Sequence, residues 1–267
     1  DKTHAFVDQD VPQNFKSFTD QWSTFVYGDV AVSGIEITKA SAARLYEQLP
    51  AQKSKVNIVM LHGQISTACE VDQVNLNLLK GKNIQYLALG HIHTYICEQL
   101  DRDGIYCYPG CLEGRGFDEC GEKGFVVLDT AARKLEPEFV PFSTRQLHRV
   151  KVDITGASTN SAVYQEMKKA AQQISERDMV EFILTGAADP SARIAKKYLY
   201  NLAKDDFFFI KIKDETKLVL DPKDYEKDVS LKGEFVRLVM ASDASEEDKV
   251  KIIRTGLEAL TGEEVTV

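Results

Sequence analysis

The first readable pattern along the chain is a pair of short extended runs. Residues 22–37 (WSTFVYGDVAVSGIEI) predict two strands around the turn Gly28-Asp29. A helix is predicted over 39–48, with Ala42, Leu45, Tyr46 and Leu49 on one face. Val56 to Leu61 is a near-continuous apolar run that stops at His62-Gly63. Such runs belong to strands covered on both faces, as in the middle of an α/β sheet. Residues 71–80 (VDQVNLNLLK) predict a second helix, with Gly81 at its stop. Tyr86 to Leu89 is another buried strand, ending in Gly90-His91-Ile92-His93.

The texture then changes. From 94 to 142 short extended segments alternate with turns: 94–100, the turn Asp101-Arg102-Asp103-Gly104, 105–108, Pro109-Gly110, and strands near 124–129 and 134–140. This predicts an antiparallel or mixed sheet after the βαβ region. A new organisation begins near 143–150, with strands at 149–154, 179–184 and 207–212 separated by helices at 159–174 and about 191–203. That order predicts a small separate α+β domain. Two amphipathic segments close the chain. Leu231, Phe235, Leu238 and Val239 share one predicted face, and a helix capped at Ser245 places Val250, Ile253, Leu257 and Leu260 on another, with Gly262 as its stop.

Composition narrows the class. The chain has 267 residues, 43% hydrophobic and 28% charged, as in a soluble globular protein, and no run long and apolar enough for a membrane span. The N-terminal residues Asp1-Lys2-Thr3-His4 show neither the basic nor the apolar region of a secretion signal, so a cytoplasmic location is expected. The five cysteines (69, 97, 107, 111 and 120) form no CxxC pair and read as reduced thiols. A net charge of −8 argues against a surface that grips nucleic acid by electrostatics alone. It is compatible with a nuclease whose bound cations supply positive charge at the phosphate.

Candidate chemistry lies in the histidines. There are five, and His62, His91 and His93 stand at the C-terminal ends of the two predicted buried strands. Ligands of open α/β sheets bind outside those strand ends. In extended backbone, residues two apart point their side chains to one side, so His91 and His93 are expected to face one place, with His62 beside them. A lone histidine at a strand end is ordinarily a hydrogen-bonded surface or core residue, and His148, in a linker or strand start, is read as a surface residue. Three converging imidazoles instead suggest ligands for divalent cations. Arg102, Arg115 and Lys123 read mainly as solvated charges, with contact to a DNA backbone as the alternative. Trp22, Phe25 and Tyr27 read as sheet packing.

The segments NIVMLHG and LALGHIH resemble the last two metal-binding motifs of the calcineurin-like metallophosphoesterases. The following stretch, DRDGIYCYPGCLEGRGFDECGEKGFVVLD, resembles the SbcD-type DNA repair exonuclease branch of that family. The resemblance covers 22–142 well and the following domain more loosely. It implies an α/β fold: the C-terminal half of a metallophosphoesterase β-sandwich over 1–145, a capping domain over 146–222 and a C-terminal partner-docking helical segment over 223–267. It implies two divalent metal ions, typically Mn²⁺, with His62 and His91 on one ion and His93 on the other. Implied partners are DNA, an SbcC-like ATPase subunit and a second copy of the chain; no membrane is implied.

The family pattern also contains Asp-x-His, Gly-Asp-x-x-Asp and Gly-Asn-His-Asp motifs, and none is present here. Asp8, Asp10, Asp20 and Asp29 occur in other contexts, and His4 is not the Gly-Asn-His-Asp histidine. Without a bridging carboxylate, two neighbouring cations repel without compensation. The chain alone is therefore expected to be inactive, with no catalytic residue assigned within it, and the parent protein to hydrolyse phosphodiesters. The alternatives are a phosphatase or cyclic-nucleotide phosphodiesterase of the same fold, and a non-catalytic interaction module.

Overall fold

The computed structural model describes residues 12, 14–42, 44–131, 135–188, 194–218 and 228–260. His4, Asp8 and Asp10, the beginning of the helix expected from 191, the expected boundary at 222 and the stop at Gly262 lie outside them. The chain divides into two compact units, 1–115 with 122–144, and 116–121 with 145–267. Among the described residues, no helix is long and apolar enough to cross a membrane.

The first unit is built on a mixed six-stranded sheet. Its strands are β1 (Ser23–Tyr27), β2 (Val30–Gly34), β3 (Val56–His62), β6 (Tyr86–Gly90), β7 (Ile96–Gln99) and β8 (Ile105–Tyr108), in the order β1-β2-β3-β6-β8-β7. Two-residue strands β4 (Gln64–Ile65) and β5 (Gln73–Val74) pair beside it, and β9 (Gly124–Val127) and β10 (Glu138–Pro141) form a separate antiparallel ribbon. The β1–β2 hairpin turns at Gly28, whose φ of +56° suits glycine. β2, β3, β6 and β8 are mutually parallel, and β7 returns antiparallel at the edge.

The apolar runs that predicted β3 and β6 are explained by burial on two sides. Val59, Leu61, Leu87 and Leu89 pack into the main core with Leu45, Leu79 and Tyr108. Val56, Ile58, Tyr86 and Ala88 face a smaller cluster with Cys107 and Leu135. Trp22, expected to pack, lies against the main core and donates from Nε1 to the Leu45 carbonyl at 3.1 Å.

Two expected helices are not formed. Residues 39–42 and 44–47 are successive turns that mix bonds four residues apart (Ala42 to Thr38, Leu45 to Ser41) with bonds three apart (Arg44 to Ser41). Ser41 Oγ accepts from Thr38 N–H and donates to the Glu36 carbonyl, offering the backbone an alternative to helix. Ala42, Leu45 and Tyr46 are buried all the same, as their spacing predicts. Over 71–80 the chain forms β5 and a 3₁₀ turn, Leu76–Leu78, instead of an α-helix. Asp72 adopts a φ of +57°, and Asn75 caps the turn by accepting from Asn77 N–H while donating to the Thr67 carbonyl. Short polar side chains again compete with helix.

The second unit contains a parallel sheet ordered β11 (Leu147–Asp153), β12 (Met179–Thr185), β14 (Phe209–Asp214). Helices α1 (Asn160–Ala170) and α2 (Lys196–Ala203) connect these strands, α1 being capped by Thr159. Val163, Met167 and Leu199 from the helices meet Val152, Phe182, Leu184 and Ile210 from the sheet. Two-residue strands β13 (Ala187–Ala188) and β15 (Lys217–Leu218) pair with each other. His148, expected at the surface, is half-buried, with Nε2 at 2.9 Å from Asp178 Oδ2. The difference arises because Asp178 also accepts from Gln146 N–H and so stands at the head of β11.

Helices α3 (Leu231–Met240) and α4 (Glu246–Leu260) pack through Val236, Val239, Ile253 and Leu257. Ser245 Oγ accepts from Asp248 N–H at 3.1 Å, so the expected cap is formed. The face expected of α3 is only partly the buried one. Val239 is inside, but Leu231 and Leu238 are 72% and 64% exposed, and Val236 takes the inner position.

On the sheet face away from the core residues, Glu181 is buried between Arg149 Nε at 2.7 Å and Lys211 Nζ at 2.9 Å, one on each neighbouring strand. The Lys211 hydrogen bond, reinforced by Arg149 and opposed by burial, holds its carboxyl below the usual range. The sign follows directly. The contribution is full above the unfolded carboxyl value of about 4.3 and is lost as pH falls through the lower folded one. Glu181→Gln is expected to cost about 1–3 kcal/mol at neutral pH. It should also flatten the acid side of the melting-temperature profile. Parallel profiles for wild type and variant would contradict this role.

Candidate metal centre

His62 is the last residue of β3 and Gly90 the last of β6, and the parallel register places their Cα atoms opposite each other. A side chain at 90 would compete for the space of the imidazole. A Cβ added there would lie 2.8 Å from His62 Nδ1. Glycine at 90 therefore leaves the His62 ring room to rest where it does, and a larger residue would push it aside. His91 follows at once, and its ring stands edge-on to that of His62, with centroids 5.4 Å apart and planes at 85°. Both histidines are exposed, as ligands open to an incoming ion must be.

The backbone behind them is tied down. Gly63 N–H donates to the Gly90 carbonyl at 3.2 Å, and the buried Tyr108 hydroxyl donates to the Gly63 carbonyl at 2.7 Å. Burial pushes the Tyr108 phenol above its ordinary value, which keeps it a donor.

The extended geometry expected through His91 and His93 is not what the chain adopts. β6 ends at Gly90, and His91 has a φ of +109°, a conformation costly for a residue with a Cβ. Such a conformation persists where the surroundings over-determine it. Here the His93 carbonyl accepts from Lys123 Nζ at 2.8 Å and lies 3.7 Å from the Cys111 thiol. Gly110, with φ +83°, brings its backbone so close that a Cβ would sit 3.3 Å from the His93 oxygen.

Lys123 was expected to be solvated, but it is only 3% exposed. Arg115 is also engaged, its guanidinium lying 3.1 Å from His93 Nδ1. A guanidinium only donates, so Nδ1 is the acceptor and the ring proton sits on Nε2. In that state His93 has no second lone pair, and it can ligate an ion only when Arg115 releases it. His62 and His91 are thus brought together, while His93 is held by two cationic side chains. Among the described residues, no group of three histidine, cysteine or carboxylate side chains with ligand atoms all within 4.8 Å includes His62 or His91.

The reading of the sequence missed Gly90 and Lys123. The glycine was legible as the first letter of Gly-His-x-His, whereas a single lysine in a turn-rich stretch carries no pattern. No family model matches the chain. It is similar to the uncharacterized metallophosphoesterase YhaO of Bacillus subtilis (strain 168), 26% identical over 139 residues, or 49% of this chain. The matched stretch spans 34% of the length of that metallophosphoesterase, so the similarity concerns a part of it.

Gly90→Ala is expected to leave the fold intact at a cost of about 1–3 kcal/mol while displacing the His62 ring. In ¹⁵N-histidine spectra the His62 and His91 signals should move and that of His148 should not; unchanged spectra would show that the glycine has no such role. Lys123→Met removes the ammonium from the His93 carbonyl, at a cost of about 1–3 kcal/mol. Faster amide hydrogen exchange over 91–95 is the expected signature, and unaltered protection there would refute the anchoring role.

Proposed function

We propose that this chain is part of a metal-dependent phosphodiesterase acting on DNA, with His62, His91 and His93 as metal ligands contributed by this part. The observation that carries the reading is the pair of imidazoles at adjacent parallel strand tips, 5.4 Å apart, with a glycine opposite one of them. The similarity to YhaO supports phosphoester hydrolysis in general. The nuclease assignment rests on the resemblance of 101–129 to the SbcD-type branch.

The residues present fit one side of a two-metal centre. His62 and His91 offer nitrogen donors suited to a borderline divalent ion such as Mn²⁺. His93 is the third donor, once Arg115 has turned away from its Nδ1. Divalent ions held by these residues would supply activation of a water and stabilisation of the charge on the phosphate. The protein's own task is to fix the imidazoles. The Tyr108 hydroxyl does so from behind His62, and the Lys123 ammonium does so from behind His93.

DNA, an SbcC-like ATPase and a second copy of the chain are the partners that accompany this reading. The outward Leu231 and Leu238 of α3 support a docking role for the C-terminal helices, since a helix with a second apolar stripe has surface to cover.

The test uses the protein encoded by the whole reading frame. It is expected to contain the Asp-x-His, Gly-Asp-x-x-Asp and Gly-Asn-His-Asp motifs and to degrade linear DNA with Mn²⁺. His91→Ala should lower that rate by at least two orders of magnitude, roughly the effect of losing a ligand-level contribution of ~3 kcal/mol. Hydrolysis of small phosphomonoesters without cleavage of DNA would replace the nuclease by a phosphatase. Absence of all three motifs would defeat both enzyme readings.

A further inference from the structure

The main sheet ends in the edge strand β7, and opposite its Cys97 the neighbouring β8 places Cys107. The bond from Leu100 N–H to the Gly104 carbonyl (2.9 Å) marks 100 and 104 as a hydrogen-bonded pair. Alternation along the antiparallel ladder then makes 97 and 107 a non-hydrogen-bonded pair. In such pairs the Cα atoms stand about 4.5 Å apart with the side chains close, inside the ~4.4–6.8 Å span that a disulfide bridges. The two thiols share one side of the sheet, both lying in the cluster of Tyr86, Ala88 and Tyr95. The Cys107 thiol lies close enough to the Cys97 thiol and the Tyr86 hydroxyl to feel both. Neither cysteine is in a disulfide, and their access differs: Cys97 is half-buried and Cys107 is fully buried.

We propose that Cys97 and Cys107 form a redox modification site at which a hydroperoxide closes a cross-strand disulfide. Cys97, the more accessible thiol, reacts first. Its thiolate sulfur attacks the peroxide, the O–O bond breaks, an S–O bond forms, and hydroxide leaves to be protonated. The Cys107 sulfur then attacks the Cys97 sulfenic sulfur. An S–S bond forms, the S–O bond breaks, and the oxygen departs as water with a thiol proton. Two thiols and one hydrogen peroxide give one disulfide and two waters, and a dithiol reductant reverses the change by exchange.

Cys107 is fully buried while Cys97 is half-buried, and burial pushes the Cys107 thiol up to about 11, so Cys107 is the resolving and not the sensing partner. The bridge would join the sheet edge to β8, whose Tyr108 holds the Gly63 carbonyl behind His62. This inference does not depend on the phosphodiesterase reading.

The experiment treats the chain with hydrogen peroxide, blocks remaining thiols with a maleimide and digests it with trypsin without reductant. The expected product is peptide 83–102 joined to peptide 103–115, lighter by two hydrogens than their sum and separated again by dithiothreitol. Because 103–115 also contains Cys111, the joined product should persist in Cys111→Ser and vanish in Cys97→Ser and Cys107→Ser. Circular dichroism of the reduced variants shows whether each is folded, and the wild-type peptide map stands regardless. A link through Cys111 or Cys120, conversion of Cys97 to sulfinic acid without a link, or maleimide on both Cys97 and Cys107 after labelling in denaturant would each overturn the proposal.

Discussion

The register between β3 and β6 is the constraint on which the site depends. Parallel pairing sets Met60 against Ala88 and Leu61 against Leu89, and so His62 against Gly90. A slip of β3 by one residue would turn Val59 and Leu61 out of the main core and would also oppose His62 to a residue with a Cβ. Core packing and site geometry therefore select the same register. Each of these buried leucine or valine side chains contributes roughly 1.5–3 kcal/mol, far more than any contact between the two exposed imidazoles. The site is held by the sheet beneath it.

That hierarchy explains how the chain reads as a sequence. The strands of the α/β fold were legible because burial on both faces leaves uninterrupted apolar runs, as at Val56–Leu61 and Tyr86–Leu89. The outer strands β11 and β14 of the second sheet were legible through alternation instead, one face being filled with Val152, Phe182, Leu184 and Ile210 while the other carries Arg149 and Lys211. The elements that failed are those in which a short polar side chain bonds to nearby backbone. Ser41 and Asn75 divert segments whose apolar spacing alone suits a helix. In α3 the spacing that joins Leu231 and Leu238 is real, but they face outward, and Val236 and Val239, with Phe235 packed beside them, meet α4. Periodicity identifies an apolar face without saying which partner covers it.

The candidate site shows the same division. Histidines ending buried strands are visible in a sequence because position along the strand fixes where they emerge. The backbone after the strand is not visible in that way. His91 leaves the extended conformation, and what holds it there comes from remote segments, Gly110 and Lys123. A buried ammonium costs several kcal/mol unless it is well used. Its placement against the His93 carbonyl, with the Arg115 guanidinium on the ring, puts two positive groups around one histidine in a chain of net charge −8.

The central claim is that His62 and His91 face a common cation. Crystals of the protein encoded by the whole reading frame, soaked in Mn²⁺ and measured at the manganese absorption edge, test it most directly. The account predicts an anomalous peak within bonding distance of a ring nitrogen of both His62 and His91. Strong manganese peaks elsewhere, with these two rings bare, would contradict it.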